Sequence, residues 1–252
     1  MNEKLVRQCL FNWLGYGNLH GSIWFIGTEE GGAEIWRQKT KTIQESLEIR
    51  KKFKLSMDFI NVWEKQYNIP MIKFRGPTVW RYIAAFLLCF EKAKKNELIK
   101  VERNDVEEFL YESKKLGRKD SNHFLCELFP LPKKSKNNIE PYSDFWDSIK
   151  SYHSELLSQR INLIKEALNE NVKVLISYEK ILTEYLVEKF HAELEYTWEF
   201  KKQKYKSYRI KFEKKLEIAL LSTPFFGNGR ISYQGVEEAV KKLIENKLLT
   251  TI

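Results

Sequence analysis

The chain has 252 residues, 43% hydrophobic and 14% aromatic, enough to bury a sizeable core in one large domain or two small ones. Forty-three Lys and Arg against 34 Asp and Glu leave a net charge of +9, which favours an anionic partner, most simply nucleic acid, although a lysine-rich surface used for solubility has the same balance. Three dispersed cysteines with no CxxC pair argue against a disulfide framework and suit a reducing cytoplasm, the four histidines lack metal-ligand spacing, and no apolar stretch spans a bilayer.

In chain order, Leu5, Val6, Cys9, Leu10 and Leu14 repeat at helical spacing, and Gly15 and Gly17 follow as stops. Nothing before them has the pattern of a signal peptide, since Asn2, Glu3, Lys4 and Arg7 interrupt any apolar run. Ile23-Trp24-Phe25-Ile26 is short and apolar throughout, as in a parallel-sheet strand covered on both faces, and the predicted strand runs over 22–27. Helices are predicted from Ala33 to about Arg50 and over roughly 57–67. Gly76-Pro77 then opens a helix running to about Lys95, because proline suits a first helical position. Asn104 caps a short helix over 104–113.

A second strand is expected over 123–129, ended by Pro130 and Pro132 and followed by the basic loop carrying Lys133, Lys134 and Lys136. A long helix over about 143–169, a third strand over 172–177 and a helix over 179–190 come next. Residues 193–212 alternate around a lysine-rich turn, as in a hairpin. The last core strand, 216–222, runs into a glycine-rich loop, and an amphipathic helix covers about 233–247. Four apolar strands separated by helices predict a three-layer α/β/α sandwich with a central, mainly parallel four-stranded sheet and a hairpin insertion near 193–212, in a single domain over 1–252. Ligands of such sheets bind beyond the carboxyl ends of the strands, so Glu29 and Glu30, flanked by Gly27, Gly31 and Gly32, sit where chemistry is expected.

Three motifs in order, Gly27-Thr28-Glu29-Glu30-Gly31, Phe74-Arg75-Gly76-Pro77 entering an apolar helix, and Ser222-Thr223-Pro224 with its glycine-rich extension, resemble those of the uracil-DNA glycosylase superfamily. The resemblance is one of order and spacing over about residues 20–245. Glu30 stands where relatives have proline, Thr223 where they have His or Asn, and Glu127 near their base-reading Asn. It implies an enzyme that flips a nucleotide and hydrolyses its N-glycosidic bond, leaving an abasic site, with no cofactor and no metal.

On that resemblance Glu29, Glu30 and Thr223 are the candidate catalytic residues. A carboxylate there would activate water and stabilise positive charge developing on the sugar, whereas a bland reading makes both acids caps of the following helix. Thr28, Gly31, Phe74 and Glu127 are candidates for holding the base, Phe74 by stacking. A carboxylate at 127 only accepts hydrogen bonds and so suits the exocyclic amine of a cytosine-type base. Phe225 and Phe226 beside glycines could wedge into a duplex, and Asn228, Arg230, Lys133, Lys134 and Lys136 could meet phosphates. His123, His153 and His191 receive no role. The expectation is a cytoplasmic, monomeric DNA glycosylase acting on a modified cytosine in anti-phage defence. The alternatives are a non-catalytic nucleic-acid-binding module on the same fold and a hydrolase of small nucleotides or nucleosides.

Overall fold

The computed structural model describes residues 1–29, 34, 37–71, 76–133, 135, 137–212 and 217–246. In chain order its elements are α1 (Glu3–Phe11), β1 (Gly15–Gly17), β2 (Ile23–Gly27), α2 (Ile43–Arg50), β3 (Ser56–Met57), α3 (Phe59–Asn61), α4 (Thr78–Lys94), α5 (Arg103–Glu107), β4 (His123–Glu127), α6 (Ile149–Ala167), β5 (Val174–Ser177), α7 (Lys180–Phe190), β6 (Glu193–Phe200), β7 (Gln203–Lys211), β8 (Glu217–Ser222) and α8 (Tyr233–Glu245). They fall into two compact units. The first is Met1–Leu19, Gly27–Gly76 and Gly117–Leu168, and the second is His20–Ile26, Pro77–Leu116 and Asn169–Ile252.

In the first unit β1 pairs parallel with β3 and antiparallel with β4. Both β1 and β3 escape sequence reading because runs of three and two residues carry no alternation. Gly15 permits the β1–β4 pairing, since a Cβ there would lie 1.8 Å from the Leu125 carbonyl oxygen. Aromatic side chains fill the space beside β1: Trp13, Tyr16, Phe59 and Trp63 are at most 2% exposed and meet edge-on or tilted. The predicted helix over 33–50 survives as α2, whose start is set by a reciprocal capping box between Thr42 and Glu45. The helix predicted over 57–67 is one α turn continuing into a π turn at Val62–Gln66. The long helix α6 starts at Ile149 rather than 143, where the Ser148 hydroxyl accepts from the Ser151 N–H.

In the second unit β2, β5 and β8 are parallel, in register Phe25↔Ile176 and Ile176↔Leu221, and β8 continues antiparallel into β7 and β6. The chain is thus α/β, largely parallel in its core and with the expected hairpin, but β1 and β3 join the four core strands and the two hairpin strands that were predicted, so that the described strands number eight, joined in mixed directions. Helix α4 buries Trp80, Ile83, Ala84, Phe86, Leu87 and Phe90, and it packs on α8. The helix predicted over 104–113 opens at Glu102 rather than Asn104 and becomes a π turn over Glu108–Glu112.

His123 opens β4 fully buried, and its Nε2 accepts from the Gly117 N–H at 2.8 Å. Burial lowers its pKa from 6.5 to about 3, so the folded chain holds it neutral while the unfolded chain protonates first. This contribution to stability is complete above about pH 6.5 and is lost as pH falls toward 3. Urea unfolding of wild type and His123→Gln should show their stability difference moving by about 2 kcal/mol against the wild type between pH 7 and 5. Substitution Gly15→Ala should cost about 3 kcal/mol in the same assay, because the obstructing atom is backbone and has nowhere to retreat.

Candidate active site

Strand β2 ends at Gly27, whose carbonyl accepts from the Leu128 N–H at 2.9 Å, and the Thr28 carbonyl accepts from the Phe129 N–H at 2.8 Å. These two bonds lay the start of the acidic turn alongside the segment leaving β4. Glu29 follows, with its carboxylate only 6% exposed. Its Oε2 accepts from the Lys133 ammonium at 2.5 Å, and its Oε1 lies 3.1 Å from Nε2 of His153. Lys133 is 1% exposed, and its ammonium also reaches the Ser135 carbonyl at 3.4 Å.

His153 sits in the second turn of α6, and its ring lies flat on that of Phe129, with centroids 4.0 Å apart and planes 12° apart. The stack fixes the imidazole plane while Glu29 fixes one nitrogen. A carboxylate oxygen accepts, so in this contact Nε2 of His153 is the donor, and Nδ1 is the ring nitrogen left facing away from Glu29. Of the three side chains His153 keeps the most solvent contact, at 22% exposed. Tyr152 is buried beside it, and its phenol is pushed well above its usual range by burial first and by the Glu29 charge second.

Such an arrangement can hold an immobile negative charge and orient an imidazole that takes up a proton. The cysteines cannot serve as nucleophiles, since burial pushes Cys9 up to about 11 and Cys89 and Cys126 up to about 12. Among the described residues no cluster of three or more His, Cys, Asp and Glu could hold a metal ion.

Of the sequence candidates, Glu29 and Lys133 are brought together. Lys133 is corrected: it is not a surface cation meeting phosphates but the buried counter-charge of Glu29. Glu127 ends β4 half-buried, its N–H donating to the Leu14 carbonyl and its carbonyl accepting from Arg160. Thr28 is half-buried. Glu30, Gly31, Phe74, Lys134 and Lys136 lie outside the described residues.

The remaining candidates belong to the second unit. Thr223 is 6% exposed, and its hydroxyl is directed at the Pro224 and Ser177 carbonyls, at 3.0 and 3.5 Å. Phe226 is corrected: it is fully buried, stacked on Tyr178 at 4.5 Å and Phe86 at 5.5 Å, and presents nothing to a duplex. Phe225 is half-buried, while Asn228 and Arg230 are exposed.

His153 was missed because it lies 124 residues from Glu29 in sequence. The only local signal was a histidine one position from the buried face marked by Tyr152 and Leu156. No protein-family model, curated protein or solved structure matches the chain. No described helix is long and apolar enough to cross a membrane.

Lys133→Met alone strands the Glu29 carboxylate and should destabilise the fold by about 3 kcal/mol, and adding Glu29→Gln should restore much of that. A double-mutant cycle by urea unfolding measures the coupling, and strictly additive losses would show the contact to be energetically idle.

Proposed function

We propose that the chain is a DNA glycosylase that extrudes a modified, cytosine-type nucleotide, hydrolyses its N-glycosidic bond and leaves an abasic site, acting in anti-phage defence. The observation that carries this reading is the pairing of Glu29 with His153 directly after the glycine-ended strand β2. The Glu29 carboxylate stands at the position which, in the motif Gly27-Thr28-Glu29-Glu30-Gly31, resembles the catalytic turn of uracil-DNA glycosylases. The net charge of +9 supports a polyanionic substrate.

In this mechanism the C1′–N bond breaks with its electron pair leaving on the base, and positive charge builds on the sugar. Water attacks C1′ as its proton passes to Nδ1 of His153. Glu29 stabilises the resulting imidazolium, and Lys133 holds Glu29 in place. The imidazolium then returns its proton to solvent or to the departing base.

A second reading, a binding module without chemistry, is favoured by one observation: both Glu29 oxygens already have protein partners. Duplexes carrying uracil, hydroxymethylcytosine or glucosylated hydroxymethylcytosine, incubated with the protein and then cleaved with alkali, separate the two. Wild type should generate strand breaks on at least one modified-cytosine duplex, and His153→Ala should lower that rate by roughly 10²–10⁴-fold at unchanged duplex affinity. Absence of breaks on every duplex, with binding retained, would establish the module.

A further inference from the structure

We propose that the tip of the β6–β7 hairpin, Lys201 and Lys202 with Lys204 and Lys206 behind them, is a docking surface for the phosphate backbone of duplex DNA. The choice of DNA as occupant rests on the function proposed above; the case for a polyanion rests on the hairpin itself. Phe200 pairs with Gln203, so Lys201 and Lys202 form a two-residue loop. Both take left-handed backbone conformations, with φ of 47° and 63°. Such a loop matches the twist of a hairpin, but its positive φ values select Asn, Asp and Gly and strain lysine, whose Cβ crowds the following carbonyl oxygen and whose side chain makes no compensating local hydrogen bond to the backbone. This chain puts two lysines there, against local conformational preference.

Charge is distributed along the hairpin in the same sense. At its base the cations are neutralised: Arg209 pairs with Glu195 and Glu217, and Lys211 pairs with Glu193. Residues 198–207 hold four lysines against the single carboxylate of Glu199. All four lysines are exposed, and none forms an ion pair among the described residues. Only Glu199, directly opposite Lys204, offsets this concentration of like charge, and an anion lying against the tip would offset the rest.

The tip is also held in position. Trp198 stacks on Tyr205 just below it, with centroids 5.5 Å apart and planes 11° apart. Gly235 lets α8 close on Tyr205, since a Cβ there would sit 2.5 Å from the phenol oxygen. The Lys201 ammonium donates to the Gln234 side chain in the first turn of α8. The exposed loop Asn228-Gly229-Arg230 leads into that same helix, so a further cation of the second unit stands close along the chain. A cation-rich tip suits phosphates, whose neutralisation by lysine releases condensed counterions.

The double variant Lys201→Asn, Lys202→Gly tests this, because it installs the residues the turn prefers while removing two charges. Fluorescence anisotropy against an unmodified duplex would be measured across a salt series, beside thermal melts. The variant should melt about 2–5 °C higher than wild type, bind roughly tenfold more weakly near 0.1 M salt, and lower the log–log salt slope by about 2. Lys201→Arg with Lys202→Arg should bind as wild type does. Lys94→Gln with Lys95→Gln, which removes the same charge from the exposed end of α4, should change affinity much less. Equal losses in the Lys94/Lys95 and Lys201/Lys202 variants, or unchanged affinity of the Asn-Gly variant, would overturn the proposal. Tip-dependent binding without abasic sites on any duplex would uphold it while removing the glycosylase reading.

Discussion

One guanidinium organises the first unit. Arg160 is fully buried on α6, where it donates to the carbonyls of Leu10, Trp13, Glu127 and Leu128. A charge taken out of water is tolerable only when its donors are satisfied, and here backbone oxygens satisfy them. Burial lowers its pKa to about 10, so it remains protonated at neutral pH. The constraint ties the end of α1, the entry to β1 and the exit of β4 to one helix. The same helix carries His153, and the same exit from β4 carries Phe129. The stack of Phe129 on His153 therefore inherits its geometry from Arg160.

The same demand shapes the neighbouring site. Glu29 and Lys133 could not be buried separately, and each makes the other's burial tolerable. His153 is held at the margin of this pair rather than inside it. A buried ion pair with a partly exposed imidazole at its edge holds that ring in one orientation.

The second unit handles charge and polarity differently. Around the ends of β5 and β8, Thr183 joins Ser177 and Ser222 in a chain of hydroxyls, so the polar atoms there satisfy one another. Thr223 belongs to this inward-facing economy of hydrogen bonds. The loop beyond it splits by burial: Phe226 completes an aromatic stack with Tyr178 and Phe86, and Asn228 and Arg230 stand in solvent. Two adjacent phenylalanines beside glycines read as a surface feature in sequence. The rings available around position 226 make it core instead.

Elements with strong periodicity were legible from the chain itself. The apolar runs of β2, β5 and β8, the alternation of the β6–β7 hairpin and the amphipathic repeats of α1 and α8 follow from local pattern, because burial on one face or both leaves its mark at fixed spacing. The position of Glu29 after a glycine-ended strand was equally visible, since turn chemistry is local. What reads only in three dimensions is partnership. Lys133 in a basic loop could have faced solvent, and the pairing of the β4 exit with the residues after β2 is what turns it toward Glu29. His153 meets Glu29 across 124 residues through a helix whose placement depends on Arg160. Sequence alone determined which segments bury their side chains and where a carboxylate could be presented. Tertiary structure alone decided which charges meet, because a buried charge is compatible with the fold only where distant segments deliver its partners.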